Sequence, residues 1–138
     1  MRNSIHIGLF GEYYVASMMH LHGWTGVLTL KNYPDIDILG YDSQTQKTSK
    51  IQVKTGANKY NVLIGQNTNT FNVNKIVGPF VFVHVLPNDE IECFVLKQQD
   101  VVTLAQTFIN NWKGTNGVPI KFNWKILKPY KDQWNNLW

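Results

Sequence analysis

Two carboxylates alternate with aliphatic residues in Tyr33-Pro34-Asp35-Ile36-Asp37-Ile38-Leu39-Gly40, and a short way on an amide and an ammonium alternate in Ile51-Gln52-Val53-Lys54-Thr55. Read as strands, side chains two apart share a face, so Asp35, Asp37 and Leu39 point one way, and Gln52 and Lys54 share a face of the second strand. Acids, an amide and an ammonium gathered on two adjacent strands have the chemistry of a metal site beside a phosphate.

The chain between them sets the register. Asp42-Ser43-Gln44-Thr45-Gln46-Lys47-Thr48-Ser49 has no hydrophobic residue and is rich in turn formers, which predicts a hairpin loop. Folding about its middle sets Asp37 opposite Lys54 and Leu39 opposite Gln52. Opposed residues of an antiparallel pair project to one face, about 5 Å apart at Cβ. A slip of one residue would send the two sets to opposite faces.

A chain of 138 residues is the size of one ordinary domain, spanning 1–138, with enough length for a core that needs no staples. The single Cys93 excludes an intramolecular disulfide framework and fits a reducing compartment. No basic start followed by an apolar run marks a signal peptide, and no stretch approaches a membrane span, so a cytoplasmic protein away from membranes is expected. Thirteen basic residues against nine acidic ones give +4. Three of the acids, Glu12, Asp35 and Asp37, belong to the suspected site, and the remaining basic excess favours a polyanionic partner.

The elements that must position these groups follow from periodicity. Ile5 to His22 reads as a helix stopped by Gly23, with an apolar stripe of Ile5, Leu9, Ala16 and Met19 in which Glu12 also falls. A carboxylate in such a stripe needs a partner or a cation. Gly26 to Leu30 is a first strand, followed by the two motif strands. Thr55 to Lys75 reads as a long polar insert. Val77 to Leu86 is a strand covered on both faces, and Ile91 to Lys97 is its hairpin partner. Asp100 is the expected N-cap of a helix carrying Val101, Leu104, Ala105, Phe108, Ile109 and Trp112. A late strand alternates through Ile120, Phe122, Trp124 and Ile126, and Tyr130 to Trp134 forms a helical turn.

The order of helix with Glu, strand, Asp strand, Gln-x-Lys strand, then further strands and a helix resembles the PD-(D/E)XK nuclease superfamily. Gly11-Glu12 with Val15-Ala16, Pro34-Asp35-Ile36-Asp37 and Ile51-Gln52-Val53-Lys54 carry the resemblance, which is closest over residues 8 to 56. It implies an α/β, restriction-endonuclease-like core with a central mixed sheet flanked by helices. It also implies a magnesium-dependent endonuclease acting on double-stranded DNA, with manganese able to substitute. Asp37 would be the central metal ligand, with Asp35 the alternative claimant. Gln52 takes the place usually held by a second acid, and Val53 is also assigned to the metal. Lys54 matches the lysine that orients the attacking water and offsets charge in the transition state, and Glu12 completes the acidic cluster.

Lys47, Lys50, Lys59 and Lys75, on loops or strand ends, are candidates for phosphates, and Asn67 and Asn69 in the polar insert for base edges, since Asn pairs with adenine in the major groove. One active site per protomer cuts one strand, so double-strand cleavage calls for a homodimer or homotetramer, of the homing or restriction type. The alternative is a catalytically inactive DNA-binding or protein-interaction module on the same fold. His20 and His22 lie on different helix faces, His84 falls within an apolar strand, and Cys93 has no activating partner. Histidine-metal and thiol chemistry therefore lack support.

Overall fold

The computed structural model describes residues 1–30 and 33–138. Helix α1 (Ser4–Leu21) begins at Asn3, whose side chain accepts the His6 N–H at 3.1 Å while His6 Nδ1 accepts the Asn3 N–H at 3.3 Å. It ends at Gly23, where φ is +84°, a conformation glycine adopts without strain. The face it buries differs from the expected stripe. Gly11, Val15 and Met19 are buried, whereas Ile5 and Leu9 are 62% and 43% exposed. Gly11 is the reason: a Cβ there would overlap Thr55 Oγ1, so the helix comes down on the sheet at its glycine and rolls Ile5 and Leu9 outward.

The main sheet contains β1 (Thr25–Leu28), β2 (Ile38–Asp42), β3 (Lys47–Gly56), β5 (Phe80–Val85) and β6 (Ile91–Leu96), side by side in that order. Only β3 and β5 run parallel among these pairs, which makes the sheet mixed. One face packs on α1 and a C-terminal 3₁₀ turn (Trp134–Leu137), burying Ile38, Ile51, Val81 and Val95. The other face, over β5 and β6, carries Phe80, Phe82, Phe94 and Leu96 against α2 (Gln98–Asn111). Covering on both sides accounts for the unbroken apolar run of β5.

The expected polar insert holds a strand. β4 (Asn61–Asn67) pairs antiparallel with β7 (Pro119–Asn123) in a two-stranded ribbon that buries Val62, Ile64, Ile120 and Phe122 in the second core. The short Val-x-Ile alternation is masked in sequence by Asn and Gln on either side. β7 also stops sooner than the apolar alternation predicts. Asn123 accepts the Lys125 N–H at 2.9 Å and opens the short helix α3 (Trp124–Leu127), leaving Ile126 45% exposed. Helix α2 starts two residues before its expected cap: Lys97 is the N-cap, and Asp100 lies in the first turn, where its charge complements the helix dipole. Among the described residues, no helix is long and apolar enough to cross a membrane.

Replacing Gly11 with Ala is expected to cost about 1–3 kcal/mol, as overpacking in a close-packed interior does. Denaturant midpoints test this, with Gly11→Ala/Thr55→Ala recovering part of the loss. A neutral Gly11→Ala would show that α1 can ride higher on the sheet.

Candidate active site

The β2–β3 hairpin has a tighter loop than its composition implies. Asp42 pairs with Lys47 as the last rung, so only four residues turn the chain. The Asp42 carboxylate accepts the Gln44 N–H at 3.0 Å and the Thr45 hydroxyl at 2.9 Å, and Gln46 takes φ +58°. The ladder then sets Ile38 opposite Ile51 and Leu39 opposite Lys50. Continued by one residue, it places Asp37 opposite Gln52 instead of Lys54, two residues from the expected register. A shift of two preserves faces, because side chains alternate with period two. Ile38 and Ile51 point to α1, while Leu39, Lys50, Gln52 and Lys54 lie on the other face with Asp37.

Asp37 lies where β2 parts from β3. Its N–H donates to the Ile51 carbonyl at 2.9 Å, and its Oδ2 accepts the Val53 N–H at 2.8 Å. Its carbonyl accepts the Thr29 N–H at 2.9 Å, and the Thr29 hydroxyl donates to the Ile36 carbonyl at 2.6 Å. The peptide is thus pinned from both neighbouring strands. Preceding residues leave the strand: Asp35 sits in a turn with φ +63°, so it does not share Asp37's face by strand alternation as expected.

Because the Gln52 N–H bonds to the Pro79 carbonyl, the main chain of Gln52 and Lys54 faces β5, and that of Val53 faces the Asp37 gap. Its carbonyl is therefore available there, which is how an apolar residue contributes an oxygen.

Glu12, one residue past Gly11, is half-buried and lines a cavity of about 450 Å³ with Leu9, Tyr13, Thr29 and Asp37. Burial raises its carboxyl above the ordinary value, and the neighbouring Asp37 charge adds to the rise. Asp37 is also raised by burial, against the opposing pull of the Val53 N–H and the Lys54 ammonium. Lys54 is lowered by burial, while Asp37 and Asp35 hold its proton on. The ammonium approaches Gly65 of β4: a Cβ at that residue would stand 2.9 Å from Lys54 Nζ. Gly65 has φ +89° at a break in the β4–β7 register, a backbone conformation that glycine adopts without strain and that lets the ribbon turn beside Lys54.

Among the described residues, no three His, Cys, Asp or Glu side chains cluster as a metal site. The groups that could hold an ion are instead two carboxylates, Glu12 and Asp37, which line one cavity, with neutral carbonyls from Gln52 and Val53 on the adjoining strand. That all-oxygen set suits a hard cation that keeps several waters, and lacks the nitrogen and sulfur ligands of structural zinc.

The expected DNA contacts are all exposed but unevenly placed. Lys50 is two residues from Gln52 on β3, and Lys59 stands over the Tyr60 ring at 5.6 Å just after β3. Lys47 is at the far end of β3, about 23 Å along the strand from Lys54. Lys75 ends a 3₁₀ turn, Asn67 ends β4, and Asn69 meets Gly117 in the loop beyond. Thr29 and Gly65 had no signal in the sequence, since each acts through a distant strand. His84 is buried, bonds the Asn58 carbonyl at 3.1 Å and stacks on Trp124 at 4.0 Å, and burial pushes the Cys93 thiol up to about 12.

The five-stranded mixed sheet flanked by helices defines an α/β fold that occurs in a nuclease. A bacterial homing endonuclease, I-Ssp6803I, superposes on it with a TM-score of 0.59, over 98% of this chain and 91% of its own, at 12% identity. At that identity the likeness concerns the fold. No family model and no curated protein matches the sequence.

Glu12 has a folded-state value above the ordinary one, so its stabilising contribution is complete below the ordinary carboxyl range and lost as pH rises through the raised value. With chelator present, Glu12→Gln should therefore melt higher than wild type at pH 7.5, with a smaller advantage at pH 4.5. Asp37→Asn should gain less, because the Val53 N–H and Lys54 already favour its charged form. Equal melting at both pH values would mean that Glu12 feels bulk water.

Proposed function

We propose that this protein is a divalent-metal-dependent DNA endonuclease on the PD-(D/E)XK plan, with Gln52 in place of the second acid and Mg²⁺, or Mn²⁺ in substitution, as its ion. The observation that carries the reading is the Asp37 carboxylate, held by the Val53 N–H on the face that bears Gln52 and Lys54, with Glu12 beside it. The shared fold with a homing endonuclease supports it.

Asp37, Glu12 and the carbonyls of Gln52 and Val53 would hold the cation, with Asp35 a further carboxylate near Lys54. When bound, such an ion lowers the pKa of a coordinated water and offsets charge on a phosphoryl oxygen. Val53 holds one Asp37 oxygen and thereby orients the other. Lys54 keeps its proton against burial through Asp37 and Asp35, and in that state it donates to an attacking water or to the phosphate and compensates the charge that grows in the transition state. Lys50 and Lys59 meet phosphates on either side of the cut, with Lys47, Lys75, Asn67 and Asn69 contacting DNA further out. Each protomer cuts one strand, so a homodimer or homotetramer makes a double-strand break at a site of matching symmetry.

Supercoiled plasmid with Mg²⁺ or Mn²⁺ tests this. Wild type should nick or linearise it, and Asp37→Ala or Lys54→Ala should slow cleavage by about 100-fold or more. Gln52→Glu restores a third negative charge and should tighten Mg²⁺ binding measured by calorimetry. Duplex binding without cleavage in either ion would identify the protein as a non-catalytic module, a reading the neutral Gln52 favours.

A further inference from the structure

The β4–β7 ribbon has one buried face and one open face. On the open face Asn61 stands opposite Asn123, and Leu63 opposite Lys121. Lys121 and Asn123 are exposed and Leu63 is 52% exposed, although a lone apolar residue on a strand bounded by so much polar chain has no packing partner there. Asn61 and Leu63 also line a cavity of about 350 Å³ together with Lys54, Gly56 and Asn58, so this face runs without interruption into the candidate active site.

Its charge is one-sided. Between Asp42 and Asp89, and again between Asp100 and Asp132, the chain contains no Asp or Glu, and these two stretches hold both ribbon strands and their flanking loops. Ten of the thirteen basic residues fall within them. Of these lysines Lys131 is paired with Glu92 at 3.0 Å, and the carboxylates of the site itself would be neutralised by the proposed cation.

We infer that the open face of the β4–β7 ribbon is the surface on which duplex DNA docks, with Lys121 and Lys125 on phosphates and the Asn61–Asn123 and Leu63 rows toward the base edges. This rests on the DNA reading above and assigns that substrate its seat. A two-stranded ribbon fits the major groove, roughly 12 Å wide, and there Asn pairs with adenine and an apolar side chain meets the thymine methyl. Duplex lying on this ribbon brings a phosphate to Lys54, because that ammonium lines the same cavity as Asn61 and Leu63.

The test is fluorescence anisotropy of a mixed-sequence duplex with the full chain, in chelator, across a KCl series. Lys121→Ala should lower the slope of log affinity against log salt by about 1, and Lys121→Glu/Lys125→Glu should weaken binding at least about tenfold, without change in melting temperature. Lysine acetylation read by mass spectrometry gives a second view. DNA should protect Lys121 and Lys125, and Lys97 beyond β6 should react as before. Wild type that binds and cuts DNA, with ribbon variants binding equally well and Lys121 unprotected, overturns the ribbon assignment and leaves the nuclease standing. Ribbon-dependent binding by a wild type that never cuts supports the assignment and sinks the nuclease. Failure of wild type to bind duplex overturns both.

Discussion

Asp37 sits at the place where two paired strands separate, and most of the site follows from how that separation is managed. β2 and β3 remain hydrogen-bonded to the Asp37 N–H, after which the next rung is made by a carboxylate oxygen in place of a main-chain carbonyl. The substitution satisfies the Val53 N–H, which would otherwise be left unpaired on a buried residue of the central strand. It also aims the Asp37 carboxylate into the gap and leaves the Val53 carbonyl facing the same gap. One hydrogen bond thus joins strand termination to ligand placement.

The surrounding layers bring the other groups to that gap and dehydrate them. α1 descends on β3 through Gly11, which carries Glu12 to the cavity beside Asp37. The ribbon passes over the opposite face through Gly65, which shelters Lys54. The first approach needs a residue without a side chain and the second a residue at ease with φ +89°, and burial works against the ionised state of each covered group. Burial pushes both carboxyls up and the ammonium down. A site poised in this way against its own charges is suited to a divalent cation, which reverses the carboxylate shifts, and to a phosphate, which favours the ammonium.

Charge is segregated at the scale of the whole chain as well. Glu12, Asp35 and Asp37 all precede the two long acid-free stretches, which hold ten of the thirteen basic residues. Gln52 accentuates the contrast. It brings a neutral amide where the resemblance implies a second acid, so a cation held there on the proposed reading would meet two carboxylates and neutral carbonyls.

Much of this was legible in the residues. The alternation of Gln52 and Lys54, the helical period with Gly23 at its end, and the unbroken apolar run of β5 are local signals, and each element formed around them, although β5 begins at Phe80, three residues later than expected. Even the misjudged hairpin kept its faces, because an error of two residues preserves side-chain alternation. What stayed hidden depends on partners far away in the chain. The roll of α1 was set by Thr55 of β3, the existence of β4 by β7, and the turn at Asp35 by the pinning of Asp37 to β1 and β3. Strand and helix periods follow from the geometry of neighbouring residues, so a sequence displays them. Close approaches such as Gly11 on Thr55 or Gly65 on Lys54 exist only once distant segments pack, and no local pattern records them.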